Sequence, residues 1–224
     1  MAFVLVTASL EACQSTSAKL VRTPDSEVPG IFYDDPALFR QDLREAPRPP
    51  PDAAIDLTQS QESFRRSPYD DPAKLCTVAY GHLIVRHPCK KPQFDLYPAP
   101  LTQAQGTDLL EQDMQLAEII VTRGITRELT DDQYGALCDF TFNVGGQNFL
   151  DSTLRKRVNS GQLARIPDEF RRWKRAGSKV LPGLVKRREL EIQLFFRGIE
   201  LPRELPPQEP AKPDIDIITG KTVR

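Results

Sequence analysis

The chain has 224 residues, enough for one core of ordinary size and too few for two large ones. Hydrophobic residues make up 39% and charged residues 27%, a soluble globular balance, and no apolar run reaches the roughly 18 residues needed to span a bilayer. The net charge is only −1, yet Arg155 to Arg188 holds twelve Lys/Arg against Asp168 and Glu169, a segment that either meets an anionic partner or forms a solvated helical face.

The chain begins "MAFVLVTASLEAC". Phe3 to Leu10 is a short apolar stretch, and Leu10-Glu11-Ala12-Cys13 resembles a bacterial lipoprotein cleavage box with "QSTS" after it. Against that, no Lys or Arg precedes the stretch, and Glu11 stands where a small residue is usual. Residues 1–13 are therefore read as a signal-like or lipoprotein-like segment, with Cys13 the candidate for a lipid anchor. Residues 14–54 are proline-rich and poor in apolar residues, an arm or linker with at most one short helix near "DPALFRQDLRE". The folded domain is expected at 55–200, and the proline-rich tail from Leu201 to Arg224 is expected to be extended.

Within the domain, helical signals dominate. "LTQSQESFRR" reads as a short helix with Thr58 as N-cap, Gln61 closing the box and Pro68 ending it. "CTVAYGHLIV" has the β-branched and aromatic residues around a glycine that mark a hairpin. Cys76 and Cys89 bracket it and are placed to pair in an oxidising compartment. "LTQAQGTDLLEQDMQLAEIIVTRG" is a long helix capped at Thr102 with Gln105, and "LTDDQYGALCDFTFNVGG" repeats the design with Thr130 and Gln133. Cys138 falls in the apolar run of that second helix and reads as core. Two shorter helices and a last one, "PGLVKRRELEIQLFF", follow, the last with Leu184, Arg188, Glu191 and Phe195 near one face. The fold class is α+β, mostly helical, with one small sheet.

Asp113 breaks a pattern. It lies on the apolar face of the long helix, four after Leu109 and four before Ala117, and a carboxylate there needs a partner. The chain's only histidines are His82 and His87, and His82, just after the first strand, is the better placed. No C-x-x-C pair or zinc-like histidine spacing exists, so no metal and no cofactor are expected.

The chemistry-bearing stretch is "QESFRRSPYDDPAKLCTVAYGHL". Glu62 is placed on a short helix, Asp71 nine residues on past a proline turn, Thr77 six further on a strand, and His82 five beyond. Two carboxylates from different elements can face each other across a cleft as acid and base, the requirement of glycoside hydrolysis. The pentapeptide YDDPA also occurs at 33–37, but there Ser26 and Gln41 replace the acid and the Thr, so that copy reads as a turn in the arm.

The stretch resembles the active-site segment of the phage-type lysozymes, glycoside hydrolase family 24. Glu62, Asp71, Thr77 and His82 match the family pattern without insertion, and "LTDDQYGALCDFTFNVG", "STLRKRVNSG", "EFRRW" and "LPGLVKRRELEIQLF" resemble its later blocks in order, over roughly 56–197. The resemblance implies a lysozyme-like fold with a small sheet lobe and a helical lobe. It implies that Glu62 is the general acid, that Asp71 and Thr77 hold the attacking water, and that His82 pairs with Asp113 structurally. It implies a sugar groove lined by Gly81, Leu83, Phe142 and Asn143, and a positive charge from Arg187 or Arg188 beside the acid. The implied activity is inverting cleavage of the glycan strand of peptidoglycan by an exported monomer, in the envelope, periplasm or outside the cell, or in the host cytoplasm before phage lysis. Two departures are Ser63, where the family has Gly after the acid, and Ala79, where the first hairpin Gly is usual; Ala is costly at φ > 0, so the hairpin is expected to differ. The competing reading is a non-catalytic wall-binding module. Nucleic-acid binding through the basic segment lacks the interleaved aromatics.

Overall fold

The computed structural model describes residues 48–71, 74–199 and 210–223. The leader-like segment, Cys13, the first YDDPA and nearly all of the arm lie outside them. In chain order the elements are α1 (Asp52–Gln61), β1 (Arg65–Asp70), β2 (Cys76–Ala79), β3 (His82–Val85), α2 (Lys91–Leu96), α3 (Gln103–Gly124), α4 (Asp131–Val144), α5 (Gly146–Asp151), α6 (Thr153–Asn159), a 3-10 turn, α7 (Ile166–Arg171), β4 (Arg175–Ala176), β5 (Lys179–Val180) and α8 (Pro182–Phe195). This is the expected α+β, mostly helical architecture.

Helix α4 is the axis of the molecule. Every residue from Gln133 to Thr141 is buried, so it is enclosed on all sides rather than amphipathic. Helices α1, α3 and α8 pack around it. Its Phe140 ring sits edge-on to Phe170 at 5.2 Å and to Trp173 at 5.5 Å, with Phe149 at 6.5 Å, an aromatic cluster that fixes the short helices α5 to α7 against it. Cys138 is buried and unbonded, as its apolar setting implies, and burial pushes its thiol pKa far up. The capping boxes read at Thr102–Gln105 and Thr130–Gln133 are both formed, and Gly145 ends α4 at φ 98°.

The small lobe is a three-stranded antiparallel sheet in the order β1-β2-β3. Its first strand corrects the sequence reading. Pro68 does not stop a helix; it lies inside β1, an edge strand where a missing N–H is tolerated. Helix α1 begins at Asp52 behind Pro51, within the stretch read as arm, and Thr58 is buried in its interior. The Thr58 hydroxyl donates to Asp139 at 2.6 Å instead of capping a helix end. The tail also departs from an extended form: residues 210–223 fold back, with Ile215 and Ile217 buried, and Asp216 bridged in parallel to Arg175.

Ala79 keeps the left-handed conformation usually given to glycine, with φ 56°. For an alanine this conformation carries a backbone cost of about 1–2 kcal/mol. The methyl group is fully buried and packs near Gly106 of α3, where a Cβ would stand 3.4 Å from it and 2.5 Å from the Phe64 ring. Cys76 and Cys89 are joined by a disulfide.

Candidate active site

Glu62 is the residue that ends α1, and its N–H still bonds the Thr58 carbonyl. Its backbone is extended there (φ −104°, ψ 139°), so the side chain leaves the helix rather than lying along it. Its Oε1 accepts from Arg187 Nη1 at 2.8 Å, and the side chain is one-third exposed. Of the two arginines left open by the sequence, Arg187 is therefore the partner of the acid. Arg188 turns elsewhere, donating to Asn143 Oδ1 at 2.7 Å and to Glu191 Oε1 at 2.6 Å.

Asp71 follows β1 and shapes the turn into β2. Its Oδ1 accepts from the Leu75 N–H at 2.8 Å, and its backbone N–H donates to the Leu75 carbonyl at 2.9 Å. One carboxylate oxygen is thus committed to the turn. Thr77 sits across from Tyr69 in the β1–β2 ladder and is 4% exposed. Its hydroxyl donates to the Tyr69 carbonyl at 3.4 Å. Asp70 serves the structure: its Oδ1 accepts from the Cys89 N–H at 2.7 Å.

His82 Nδ1 lies 3.0 Å from both carboxylate oxygens of Asp113, so the pairing inferred from helical phase is formed. Asp113 stands at the rim of α3's buried face, 28% exposed, rather than at its centre. The bond ties the sheet to the long helix. Gly81 holds φ 90° at the hairpin tip, where an added Cβ would meet nothing within 4 Å. Leu83 is half-buried on β3 opposite Thr77, and Phe142 and Asn143 are half-buried near the end of α4.

Sequence reasoning did not single out Asp139. It is fully buried in α4, accepts from Arg187 Nε at 3.0 Å and Nη2 at 2.7 Å, and accepts the Thr58 hydroxyl. Burial would push its carboxyl up, but Arg187 above all, with Glu191 and Thr58, holds it below the usual range. The signal was present: an acid in the otherwise apolar "GALCDFTF" is the same anomaly as Asp113. The basic segment 155–188 resolves into pairs as well. Arg171 bonds Glu189 at 2.7 Å, Arg172 bonds Glu169 at 2.7 Å, Arg175 bonds Asp214 at 2.7 Å, and Arg187 and Arg188 are buried. Much of its charge is spent inside the fold.

The family model for phage lysozyme matches residues 59–191, more than half of the chain. The chain belongs to the phage lysozyme family. Its curated relatives include an endolysin of Bacillus phage B103, 34% identical over 149 residues that cover 65% of this chain and 53% of the relative. Another is a SAR-endolysin of Bacteriophage PS119, 34% identical over 61% of this chain and 77% of the relative. The chain thus spans about half the length of the Bacillus phage relative. Among solved structures, the muramidase domain of SpmX from Asticaccaulis excentricus is 27% identical with a TM-score of 0.55, covering 64% of this chain and 94% of that one. A P22 lysozyme mutant is 25% identical with a TM-score of 0.57, covering 66% and 99%. The fold is theirs. Among the described residues no helix is long and apolar enough to cross a membrane.

Proposed function

We propose that the chain is a muramidase that hydrolyses the β-1,4 bond between N-acetylmuramic acid and N-acetylglucosamine in peptidoglycan, with inversion. The observation that carries the reading is the Glu62–Arg187 pair at the end of α1, with the Asp71–Thr77 turn following at the family's spacing. In the reaction Glu62 gives its proton to the glycosidic oxygen as the C1–O bond breaks. Water held by Asp71 Oδ2 and Thr77 attacks C1 from the opposite face, and its proton passes to Asp71. The products are an inverted reducing end and a free hydroxyl. Arg187 stabilises the Glu62 carboxylate that proton transfer leaves behind. Gly81, open and without a side chain, lets a sugar approach the hairpin closely, and Leu83, Phe142 and Asn143 line the rest of the groove. Work in an oxidising envelope compartment is supported by the Cys76–Cys89 bond.

The test is turbidity loss and reducing-end release from purified sacculi, with wild type and Glu62→Gln. Wild type clears the suspension, and the variant is slower by about 10²-fold or more. Equal rates would sink the assignment. Wall binding without reducing-end release from wild type would favour the non-catalytic module.

A further inference from the structure

Arg187 reaches Glu62 with one nitrogen only. Its other edge is held by Asp139 through two parallel bonds, Nε to Oδ2 at 3.0 Å and Nη2 to Oδ1 at 2.7 Å. That bidentate grip fixes the plane of the guanidinium, and it leaves Nη1 aimed at Glu62 Oε1, 2.8 Å away. Asp139 is itself immobile: it lies in the middle of the most buried helix, and Thr58 of α1 donates to it at 2.6 Å. The same helix, α1, ends in Glu62. Asp139 thus ties together the helix that presents the acid and the helix that presents its cationic partner.

The neighbouring residue on α8 serves another direction. Arg188 donates to Glu191 Oε1 at 2.6 Å and to Asn143 Oδ1 at 2.7 Å. Glu191 is fully buried, and burial pushes its carboxyl well up. It is 3.9 Å from Arg187 Nε, a far weaker contact than that of Asp139.

We propose that Asp139 is a positioning residue for the acid, fixing Arg187 so that one nitrogen faces Glu62, while Arg188 reaches Asn143 instead. The inference rests on the muramidase reading. Glu191 adjoins Asp139 and Arg187 as well as Arg188, so the arm toward Glu62 and the arm toward Asn143 are told apart at their ends, Asp139 and Asn143. The charged and titratable groups facing Arg187 are Asp139 from α4, Glu62 from the end of α1, and Glu191 and Arg188 from α8; the Cys138 thiol next to Asp139 is kept neutral by burial.

Asp139→Asn keeps the shape and acceptor capacity toward Thr58 but removes the charge. The whole charge of Arg187 then falls on Glu62 and favours its carboxylate. On soluble glycan fragments from sacculi, kcat is expected to fall by about tenfold with KM within about twofold, and the alkaline limb of the pH profile to move down by about one unit. Asn143→Ala, at the end of the other arm, is expected to raise KM several-fold and leave that limb in place. An Asp139→Asn enzyme with the wild-type kcat and pH profile would overturn the proposal. So would an Asn143→Ala enzyme that reproduces the Asp139→Asn limb shift. If Asp139→Asn does not fold, as judged by thermal melting, Thr58→Val leaves the Asp139 charge but removes the bond that seats it, and kcat should fall by less than for Asp139→Asn with KM within about twofold; a wild-type kcat overturns the proposal. Failure of the muramidase reading is distinguishable, because wild type itself would then release no reducing ends.

Discussion

Glu118 shows what a single carboxyl can cost. It lies in the α3–α4 interface at 2% exposure with Oε1 unpartnered, and Tyr134 and Cys138 of α4 both feel its charge. Burial first, and then Glu111, pushes its pKa from 4.5 to about 7. A carboxyl that binds its proton more tightly when folded stabilises the fold fully below about pH 4.5, and that stability is lost as the pH rises through about 7. Between pH 5 and pH 8 the loss is about 2–3 kcal/mol, which for a domain of this size is about 5–10 °C in Tm. Thermal melts across that range should show the wild type losing this margin while Glu118→Gln does not; parallel curves would refute the assignment. Glu118 was legible in the sequence. Met114, Ala117, Glu118 and Val121 share one helical face, so the phase argument that picks out Asp113 applies to Glu118 with more force. Asp113, by contrast, sits at the rim and has its histidine.

At the scale of elements, the sequence was most readable where local chemistry is self-sufficient. The boxes at Thr102 and Thr130 announce α3 and α4 because Thr-x-x-Gln satisfies backbone donors within one turn. The same pattern at Thr58–Gln61 misled, because the Thr58 hydroxyl is bound by Asp139, 81 residues away. Strand β1, "RRSPYD", shows no alternation; it forms because β2 offers it an edge, which no local window contains. The short β4–β5 ribbon depends likewise on the tail that bridges it. The proposed site residues could be named from the sequence because their spacing is carried by one continuous stretch. The disulfide braces that stretch. Cys76 opens β2 opposite Asp70, and the Cys89 N–H donates to the Asp70 carboxylate, one residue from Asp71. Closing this loop contributes about 3 kcal/mol. Reductant, or Cys89→Ser, should therefore lower Tm by about 6–12 °C and reduce wall hydrolysis several-fold, as the turn that holds Asp71 loosens. The variant should be indifferent to reductant. A wild-type Tm unchanged by full reduction would show that the bond braces nothing.

On the scale of the whole molecule, residues 210–223 form a strap over the end of the helical lobe, beyond the family match at 59–191. The strap is built from complementary charge and two apolar plugs. Asp214 accepts from Arg175 at 2.7 Å and meets Lys174 at 3.2 Å, and Lys212 donates to Glu169 at 2.7 Å. Ile215 and Ile217 bury their side chains, and their N–H groups bond the Arg172 and Arg175 carbonyls at 2.7 and 2.9 Å. Asp216 closes the structure by accepting from the Gly177 N–H at 2.8 Å, which fixes the β4–β5 turn. Removing residues 210–224 would expose the seats of both isoleucines and strip Asp214 from Lys174 and Arg175. Burial of two isoleucines is worth about 3–6 kcal/mol as an upper bound, offset in part by the entropy of ordering the strap. The truncated protein should melt lower by about 5–10 °C. Its electrostatics should change little: Lys174 and Arg175 are released, but Lys212, Lys221 and Arg224 leave with Asp214 and Asp216 and Glu169 is uncovered, so retention on a polyanionic resin should not rise. Hydrolysis should persist below the new Tm, because Glu62, Asp71, Thr77 and Arg187 are held by partners in α1, β1, the β1–β2 turn, α4 and α8. Loss of activity at a temperature where the truncated chain is still folded would mean that the strap reaches the groove through α8, and that the site cannot be separated from it.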